Sequence, residues 1–175
     1  VIGAGPIGLM HVTVSKAIGA SKVIVSEIDD ERLREAANFG ADCLINPSKE
    51  DLASKISEVT DGHGADVVIV AVGSPATQQQ ALSIAAKGGR INFFGGLPAG
   101  KEIVPLNTNL IHYREILVFG TSSQSIYDFR KTLELVSAGV LDVKRFITHR
   151  FPLDETLKAF ETASSRVGLK VCVNP

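Results

Sequence analysis

The 175-residue sequence has almost no net charge and no long apolar run. Its 18 Lys and Arg residues stand against 19 Asp and Glu residues, which gives a net charge of −1. It therefore lacks the basic excess of nucleic-acid-binding surfaces, and we expect no nucleic-acid partner. No apolar stretch reaches transmembrane length, so we expect no membrane span. The first residues also lack the basic and apolar segments of a signal peptide, which favours a cytoplasmic protein.

Metal-ligand motifs are also absent. There is no C-x-x-C or H-E-x-x-H pattern. Cys43 and Cys172 lie far apart in strand-like runs, which is typical of buried thiols. The histidines show no ligand spacing; they are His11, His63, His112 and His149. The sequence therefore predicts neither a metal site nor a catalytic residue among these residues.

Short runs rich in Val and Ile alternate with helical segments over the first two thirds of the sequence. The predicted helices cover 7–19, 29–39, 49–60 and 75–87, and the predicted strands cover 22–27, 42–46, 65–72, 89–96 and 115–120. The run VVIVAV has no polar alternation, which indicates a strand buried on both faces. This order predicts a doubly wound α/β domain, a parallel sheet with helices on both faces.

Glycines and aspartates mark the predicted helix ends. Asp29 and Asp30 precede ERLREAANFG and are suited to cap its helix. A glycine stands just past each of four predicted helices, where a left-handed residue needs no Cβ. These glycines are Gly19, Gly40, Gly62 and Gly88.

The last third has a different pattern. Residues 125–141 predict an amphipathic helix that ends at Gly139, and 146–163 a strand and then a helix with Pro152 near its start. Residues 169–173 predict a final strand. We therefore expect a first domain over 1–121 and a C-terminal segment over 122–175 whose partners the first domain does not all supply.

Three glycines at the start form the pattern G-x-G-x-x-G between a strand and a helix. Gly3 permits a tight turn, Gly5 lets the backbone approach a pyrophosphate, and Gly8 lets the helix pack closely on the sheet. The first amides of the helix and its dipole favour phosphate. This is the Rossmann fingerprint of dinucleotide binding; the alternative is a plain tight turn.

An acid ends the next predicted strand, nineteen residues after Gly8. Glu27 is placed to accept hydrogen bonds from the adenosine ribose hydroxyls, and it would repel a 2′-phosphate. NAD is therefore favoured over NADP; the alternative for Glu27 is a solvated strand end. Gly73, Gly95 and Gly96 follow later strands, where backbone would lie against the nicotinamide and its ribose unless these glycines are simple turns.

Six stretches extend the pattern over nearly all of residues 1–173. They are VIGAGPIGL, VIVSEIDDERLREAANFGAD, GHGADVVIVAVG, AAKGGRINFFGG, ELVSAGVLD and ITHRFPLDETLKAFE. In this order they resemble the coenzyme-binding half of zinc-type medium-chain alcohol/polyol dehydrogenases, above all the sorbitol and threonine dehydrogenase branches. Many relatives carry Asp where this chain has Glu27.

The resemblance implies further cofactor-binding residues. Pro6 and Ile7 join the glycines of the pyrophosphate turn, and Arg32 matches a basic residue that reaches the ribose. Lys170 matches a basic residue near the pyrophosphate; a solvated surface cation is the alternative for both Arg32 and Lys170. The other matches are Val72 and Gly73 beside the adenine-side ribose, Phe94, Gly95 and Gly96 at the nicotinamide riboside, and Phe119, Gly120 and Thr121 at the carboxamide.

In this family a catalytic domain with the zinc ligands precedes the coenzyme-binding half. None of its motifs occurs here, and only Val1 and Ile2 precede the first glycine. We therefore expect a fragment that starts inside its first strand; the alternative is a naturally short protein. Residues 122–175 would pack partly on the absent domain, so we expect exposed apolar surface there or pairing with another copy.

The resemblance implies that the intact enzyme oxidises a secondary alcohol on zinc with NAD, while this fragment binds NAD(H), binds no zinc and catalyses nothing. Polyol, sugar alcohol and amino alcohol substrates stay open. The resemblance also implies a homo-oligomer, either a dimer or a tetramer, that pairs through the edge run EILVFG and the loop before it; we expect a dimer. Three alternatives remain: an NADPH-dependent reductase of the same superfamily without zinc, a non-catalytic NAD/NADH-sensing module, and a methyltransferase.

Overall fold

The computed structural model describes residues 1–175, which form two compact units, Val1–Ser123 and Gln124–Pro175. The first unit alternates helices and strands along the chain. Its helices are α1 (Pro6–Ala17), α2 (Asp30–Asn38), α3 (Leu52–Val59), α4 (Pro75–Ile84) and α5 (Thr108–Arg114). Its strands are β1 (Ile24–Ser26), β2 (Cys43–Ile45), β3 (Ala65–Val70), β4 (Ala85–Phe93) and β5 (Leu117–Gly120).

Ile2 lies at the centre of the sheet of the first unit. It forms parallel bridges with Ser26 of β1 on one side and with Val70 of β3 on the other. Beyond these, β1 pairs with β2, and β3 pairs with β4, which pairs with β5, all in parallel. The strand order therefore reverses direction at Ile2, which confirms the predicted doubly wound parallel sheet.

The core of the first unit lies between this sheet and its helices. Val68 and Val70 of β3 are buried in one cluster with Ala81 and Leu82 of α4. The opposite face of β3 is covered less completely, and Val67 is 43% exposed. Val72, beyond the strand, is also exposed. The expectation that VVIVAV is buried on both faces is therefore wrong at these two valines.

Side chains and glycines set most helix ends as the sequence predicts. The Asp29 carboxylate caps α2 by accepting from the backbone N–H groups of Glu31 and Arg32. Gly19, Gly40 and Gly62 follow α1, α2 and α3 with φ of 91°, 97° and 80°.

The prediction is wrong around Gly88. Helix α4 ends at Ile84 rather than at residue 87, because β4 already begins at Ala85, which pairs with Ala65. The pairing register shifts before Arg90 pairs with Val67. Gly88, with φ of 72°, lies within this irregular part of β4 and not at a helix end. Helix α5 has no counterpart among the predicted elements.

The second unit contains α6 (Ile126–Ser137), β6 (Ile147–Pro152), α7 (Thr156–Ser164) and β7 (Lys170–Asn174), with short 3-10 turns at Lys144–Phe146 and Leu153–Glu155. Helix α7 connects β6 to β7, which pair in parallel. Ser125 and Asp128 cap α6 reciprocally, through backbone and side chain. No residue of α6 is buried, and its exposed large apolar residues are Ile126, Tyr127, Phe129, Leu133 and Leu135. The predicted exposed apolar surface is therefore present. No helix in the chain is long and apolar enough to cross a bilayer.

Candidate functional site

The glycine turn joins Ile2 to α1 at the carboxyl edge of the sheet. Gly3 has φ of 100°, a conformation that L side chains rarely adopt. A Cβ on Gly8 would overlap the carbonyl oxygen of Gly3 and lie 2.9 Å from its carbonyl carbon. A Cβ on Gly5, by contrast, would have no atom within 4 Å. Gly3 and Gly8 therefore shape the turn, whereas Gly5 leaves open space beside it.

This open space lies at the N-terminus of α1, where backbone donors lack helical partners. The first helical bond runs from Leu9 N–H to Gly5 C=O, so the N–H groups of Ile7 and Gly8 make no helical bond. No side chain caps this end and no acid lies in the first turn. Free N–H groups, the helix dipole and the missing Cβ of Gly5 together fit a diphosphate.

The Glu27 carboxylate lies beside this turn and is held by three backbone donors. Its Oε2 accepts from Ala4 N–H at 2.8 Å, and its Oε1 accepts from Ile28 N–H at 2.8 Å and from Asp29 N–H at 3.1 Å. A carboxylate offers about four lone-pair sites, so one stays available on Oε2. The side chain is thus fixed and still able to accept from a hydroxyl.

A cleft of about 300 Å³ opens between the loops that follow β1, β2 and β3. Its lining includes Gly3, Glu27 and Val72 of the predicted residues, and also Ser26, whose hydroxyl is buried without a hydrogen-bond partner. Buried hydroxyl groups are nearly always hydrogen-bonded, so a bound molecule or a water is expected to complete this one. The Ser26 hydroxyl is therefore a buried polar group left unpaired at this edge of the sheet. The remaining lining residues are Ile2, Ile28, Pro47, Ser48, Ser74, Ala76, Thr77 and Gln80.

The loops after β3 and β4 pack against each other through glycines. A Cβ on Gly73 would overlap the carbonyl oxygen of Gly96, and one on Gly95 would come within 2.7–2.9 Å of backbone atoms of Val72. A Cβ on Gly96 would meet nothing within 4 Å. Close contact between the loops therefore requires Gly73 and Gly95, and it brings the predicted residues Val72 and Phe94–Gly96 together.

The predicted carboxamide loop follows β5 at the same edge of the sheet. Phe119 and Gly120 pair with Asn92 and Phe93 of β4. The hydroxyl of Thr121 donates to the Asn92 side-chain oxygen at 3.2 Å. The structure thus places Phe119–Thr121 next to the loop that carries Phe94.

Two basic residues, Arg32 and Lys170, are also predicted to bind the cofactor. Arg32 lies in the first turn of α2, half-buried, and is not among the residues that line the cleft. Lys170 is exposed and opens β7 in the second unit. The predicted roles of both side chains stay predictions.

His11 of α1 packs against Phe94, and the ring centroids are 4.5 Å apart at an interplanar angle of 81°. Burial lowers the pKa of His11 below its ordinary 6.5. The fold therefore favours the neutral form of the His11 imidazole.

We expect the free energy of unfolding to fall as the pH is lowered through 6.5, because the unfolded state then binds the proton that folded His11 resists. His11→Gln removes this contribution and should flatten the pH dependence between pH 7 and the folded-state pKa. Urea unfolding of the wild-type and His11→Gln chains at several pH values measures the difference in this pH dependence. Parallel curves for the two chains would contradict the expectation.

No group of three or more His, Cys, Asp or Glu side chains in the chain is placed to hold a metal ion. The zinc implied by the resemblance therefore has no fitting ligand set among residues 1–175.

Sequence reasoning missed several polar residues of the cleft. Ser26 precedes Glu27 directly, so its place at the end of a strand before an acid was an available signal. Asn46-Pro47 marks a turn at the carboxyl end of β2, where ligands of open α/β sheets bind. Ser48, Thr77 and Gln80 carry no local signal, since only the fold brings them to the cleft.

Comparison with known families gives a match over most of the chain. The family model described as zinc-binding dehydrogenase matches residues 6–138. The chain is 39% identical to L-threonine 3-dehydrogenase of Bacillus subtilis over 176 aligned residues, covering 100% of the chain and 50% of that protein. It is 35% identical to sorbitol dehydrogenase of the same organism, with 100% and 49% coverage.

Solved dehydrogenase structures have a similar fold. A putative zinc-binding dehydrogenase from Sinorhizobium meliloti, bound to NADP, superimposes with a TM-score of 0.89 at 31% identity, covering 99% of this chain and 51% of that one. A protein from Escherichia coli described as a short chain alcohol dehydrogenase, complexed with NADH, gives a TM-score of 0.87 at 28% identity, with 97% and 50% coverage. The chain thus spans about half the length of the relatives it matches.

Proposed function

The chain belongs to the zinc-binding dehydrogenase family, as the resemblance predicts, and from that premise we propose that its first unit binds NAD(H) for an enzyme that oxidises a secondary alcohol. The relatives named above are oxidoreductases, and two structural neighbours hold a nicotinamide dinucleotide. The observation that carries the choice of NAD is the Glu27 carboxylate, which three backbone donors hold beside the glycine turn.

Charge around Glu27 supports NAD over NADP. The ribose 2′-hydroxyl can donate to the free site on Oε2, whereas a 2′-phosphate brings negative charge and no donor at neutral pH. Asp29 and Asp30 follow in the same loop and add carboxylates near this position. The neighbour bound to NADP makes NADP the competing outcome of the test.

The residues of the chain bind and orient the cofactor. The bound nicotinamide supplies the acceptor for hydride. The N–H groups of Ile7 and Gly8 are placed to bind the diphosphate, and Glu27 holds the adenosine ribose. In this proposal the packed loops that carry Gly73 and Gly95 lie at the nicotinamide end of the site, which Phe94 and Thr121 also line. Orientation of this kind provides much of the rate in hydride transfer.

Titration of the purified chain with NADH, NADPH and S-adenosylmethionine tests this proposal. Calorimetry should give NADH a dissociation constant at least about tenfold lower than NADPH, since a charge-assisted hydrogen bond is worth about 1.5–3 kcal/mol. Tighter binding of NADPH would favour the zinc-independent reductase, and binding of S-adenosylmethionine alone would favour a methyltransferase. Either result overturns the proposal.

The chain by itself is proposed to bind NADH without oxidising alcohols, because none of its residues is assigned a catalytic role. Turnover of a polyol, sugar alcohol or amino alcohol with NAD by the 175-residue chain would contradict this. Fusing the chain to the zinc-bearing domain of a relative would separate an enzyme half from a sensing module. Turnover of an alcohol with NAD should appear only if the chain is an enzyme half.

The predicted homodimer and the cytoplasmic location stay predictions. Strand β5 is the outer strand of its half of the sheet, and Leu117 and Phe119 on it are exposed. An unpaired apolar edge of this kind favours pairing with a second strand. We also propose that the exposed apolar residues of α6 pack against a domain that corresponds to the part of the relatives that this chain does not span. Sedimentation equilibrium that shows a monomer at every concentration would rule out the dimer.

A further inference from the structure

Asn46 is a buried polar residue directly after β2, at the edge of the sheet that carries the cleft. It is only 5% exposed, and its side-chain amide makes three hydrogen bonds. The Nδ2 group donates to Ile28 C=O at 3.1 Å and to the Asp30 carboxylate at 2.7 Å. The Oδ1 atom accepts from Ser48 N–H at 2.9 Å. Asn46 thus ties the loop after β2 to the loop that follows Glu27.

From these contacts we propose that Asn46 is the positioning residue that holds the Glu27 carboxylate in its nucleotide-selecting orientation. The proposal rests on the proposed function, and it assigns the selection of NAD to a pair of residues rather than to Glu27 alone.

Peptide geometry transmits the effect of Asn46 to Glu27. Ile28 C=O and Asp29 N–H belong to one planar trans peptide unit, so they point in opposite directions. Asn46 holds the carbonyl end of this unit, and the N–H end donates to Glu27 Oε1 at 3.1 Å. Fixing the carbonyl therefore fixes the donor that faces Glu27.

The second bond of the amide fixes the other end of the loop. Asp30 begins α2 and accepts from Asn46, and it also pairs with Lys49. Ile28 and Asp30 thus flank Asp29, and both are held by one side chain. The loop has little freedom to rotate its N–H groups away from Glu27.

Asn46 is itself well oriented. Its backbone C=O accepts from the N–H groups of Lys49 and Glu50, and its own N–H donates to the Glu50 carboxylate at 3.3 Å. Ser48, which its Oδ1 atom holds, lines the cleft. Because Asn46 is buried, water does not readily replace the donors that its removal would take away.

The test measures the dissociation constants of NADH and NADPH for the wild-type chain and for Asn46→Ala. The preference for NADH should fall about tenfold in Asn46→Ala, through weaker NADH binding, because one of the three donors to Glu27, the Asp29 N–H, is no longer held in place. Asn38→Ala is the matched control, since Asn38 is an exposed asparagine on α2, and it should keep the wild-type preference.

A double-mutant cycle distinguishes positioning from a general loss of stability. If Asn46 acts through Glu27, Asn46→Ala should change the preference little in a Glu27→Gln background. Equal effects in both backgrounds would show a merely structural role and overturn the inference. If Asn46→Ala does not fold, Asn46→Ser, which keeps a small hydroxyl donor, replaces it in the same cycle.

The outcomes also separate this inference from the proposed function. A wild-type chain that binds no NADH contradicts both. A wild-type chain that prefers NADH, with an Asn46→Ala variant of unchanged preference, contradicts the positioning role alone.

Discussion

Gly8→Ala is expected to lower the free energy of unfolding by about 3 kcal/mol or more, since overpacking against immobile atoms costs about 1–3 kcal/mol and sometimes more. The added Cβ would overlap the Gly3 carbonyl oxygen and lie 2.9 Å from its carbon, and both atoms are backbone of the central turn. The gain in helix propensity from Gly to Ala is only about 1 kcal/mol and does not offset this. Urea unfolding followed by circular dichroism measures the loss.

Gly5→Ala is the matched control for this substitution. Gly5 has φ of −68°, and its added Cβ meets no atom within 4 Å, so stability should change by less than about 1 kcal/mol. The same Cβ would occupy the space assigned to the diphosphate, so NADH affinity should fall by at least about tenfold. An unstable Gly5→Ala chain, or a stable Gly8→Ala chain, would contradict this division of roles.

Glu27→Gln is expected to reduce the preference for NADH over NADPH by about tenfold to a hundredfold, the equivalent of one charge-assisted hydrogen bond. The amide keeps the shape of the side chain but removes the charge that opposes a 2′-phosphate. In the variant, the NH₂ group of Gln would face a backbone N–H that donates to the Glu27 carboxylate in the wild type. The side chain would then no longer be held as a well-oriented acceptor for the ribose. Paired titrations with NADH and NADPH give the ratio.

Glu31→Gln is the control for the change in charge. Glu31 is an exposed acid in the first turn of α2, and its side chain does not line the cleft. The variant should keep the wild-type ratio to within about twofold, the effect of a screened surface charge. If the NADH/NADPH affinity ratio changed as much in Glu31→Gln as in Glu27→Gln, the total negative charge of this region, and not contact with residue 27, would select the cofactor.

Much of the first unit could be predicted because its signals are local. Asp29 caps α2, and the glycines after α1 and α2 take left-handed conformations, each set by neighbours within a few residues. The early end of α4 was missed because it depends on the pairing of Ala85 with Ala65, a contact between distant residues. Helix α5 has seven residues and no side-chain cap, too little pattern to identify it.

The same contrast between local signals and contacts between distant residues holds for the candidate site. The glycines and Glu27 follow from spacing alone, since strand, turn and helix succeed one another in sequence. Asn46 was missed because it contacts Ile28 and Asp30, which lie 18 and 16 residues away. The packing requirement at Gly73 and Gly95 likewise exists only between two loops that fold together.

Ile2 has a consequence for how the nucleotide cleft deforms. Its N–H donates to Ile69 C=O at 2.8 Å and its C=O accepts from Ala71 N–H at 2.9 Å, while Gly3 N–H donates to Ser26 C=O at 2.8 Å. Glu27 and Phe94 therefore follow strands on opposite sides of the segment Val1–Gly3, which is hydrogen-bonded to Ser26 on one side and to Ile69 and Ala71 on the other. An extended dinucleotide would contact the loops on both sides of this segment. We therefore expect bound NADH to slow deuterium uptake at the amides of Gly3 and Ala71, which donate to Ser26 and Ile2.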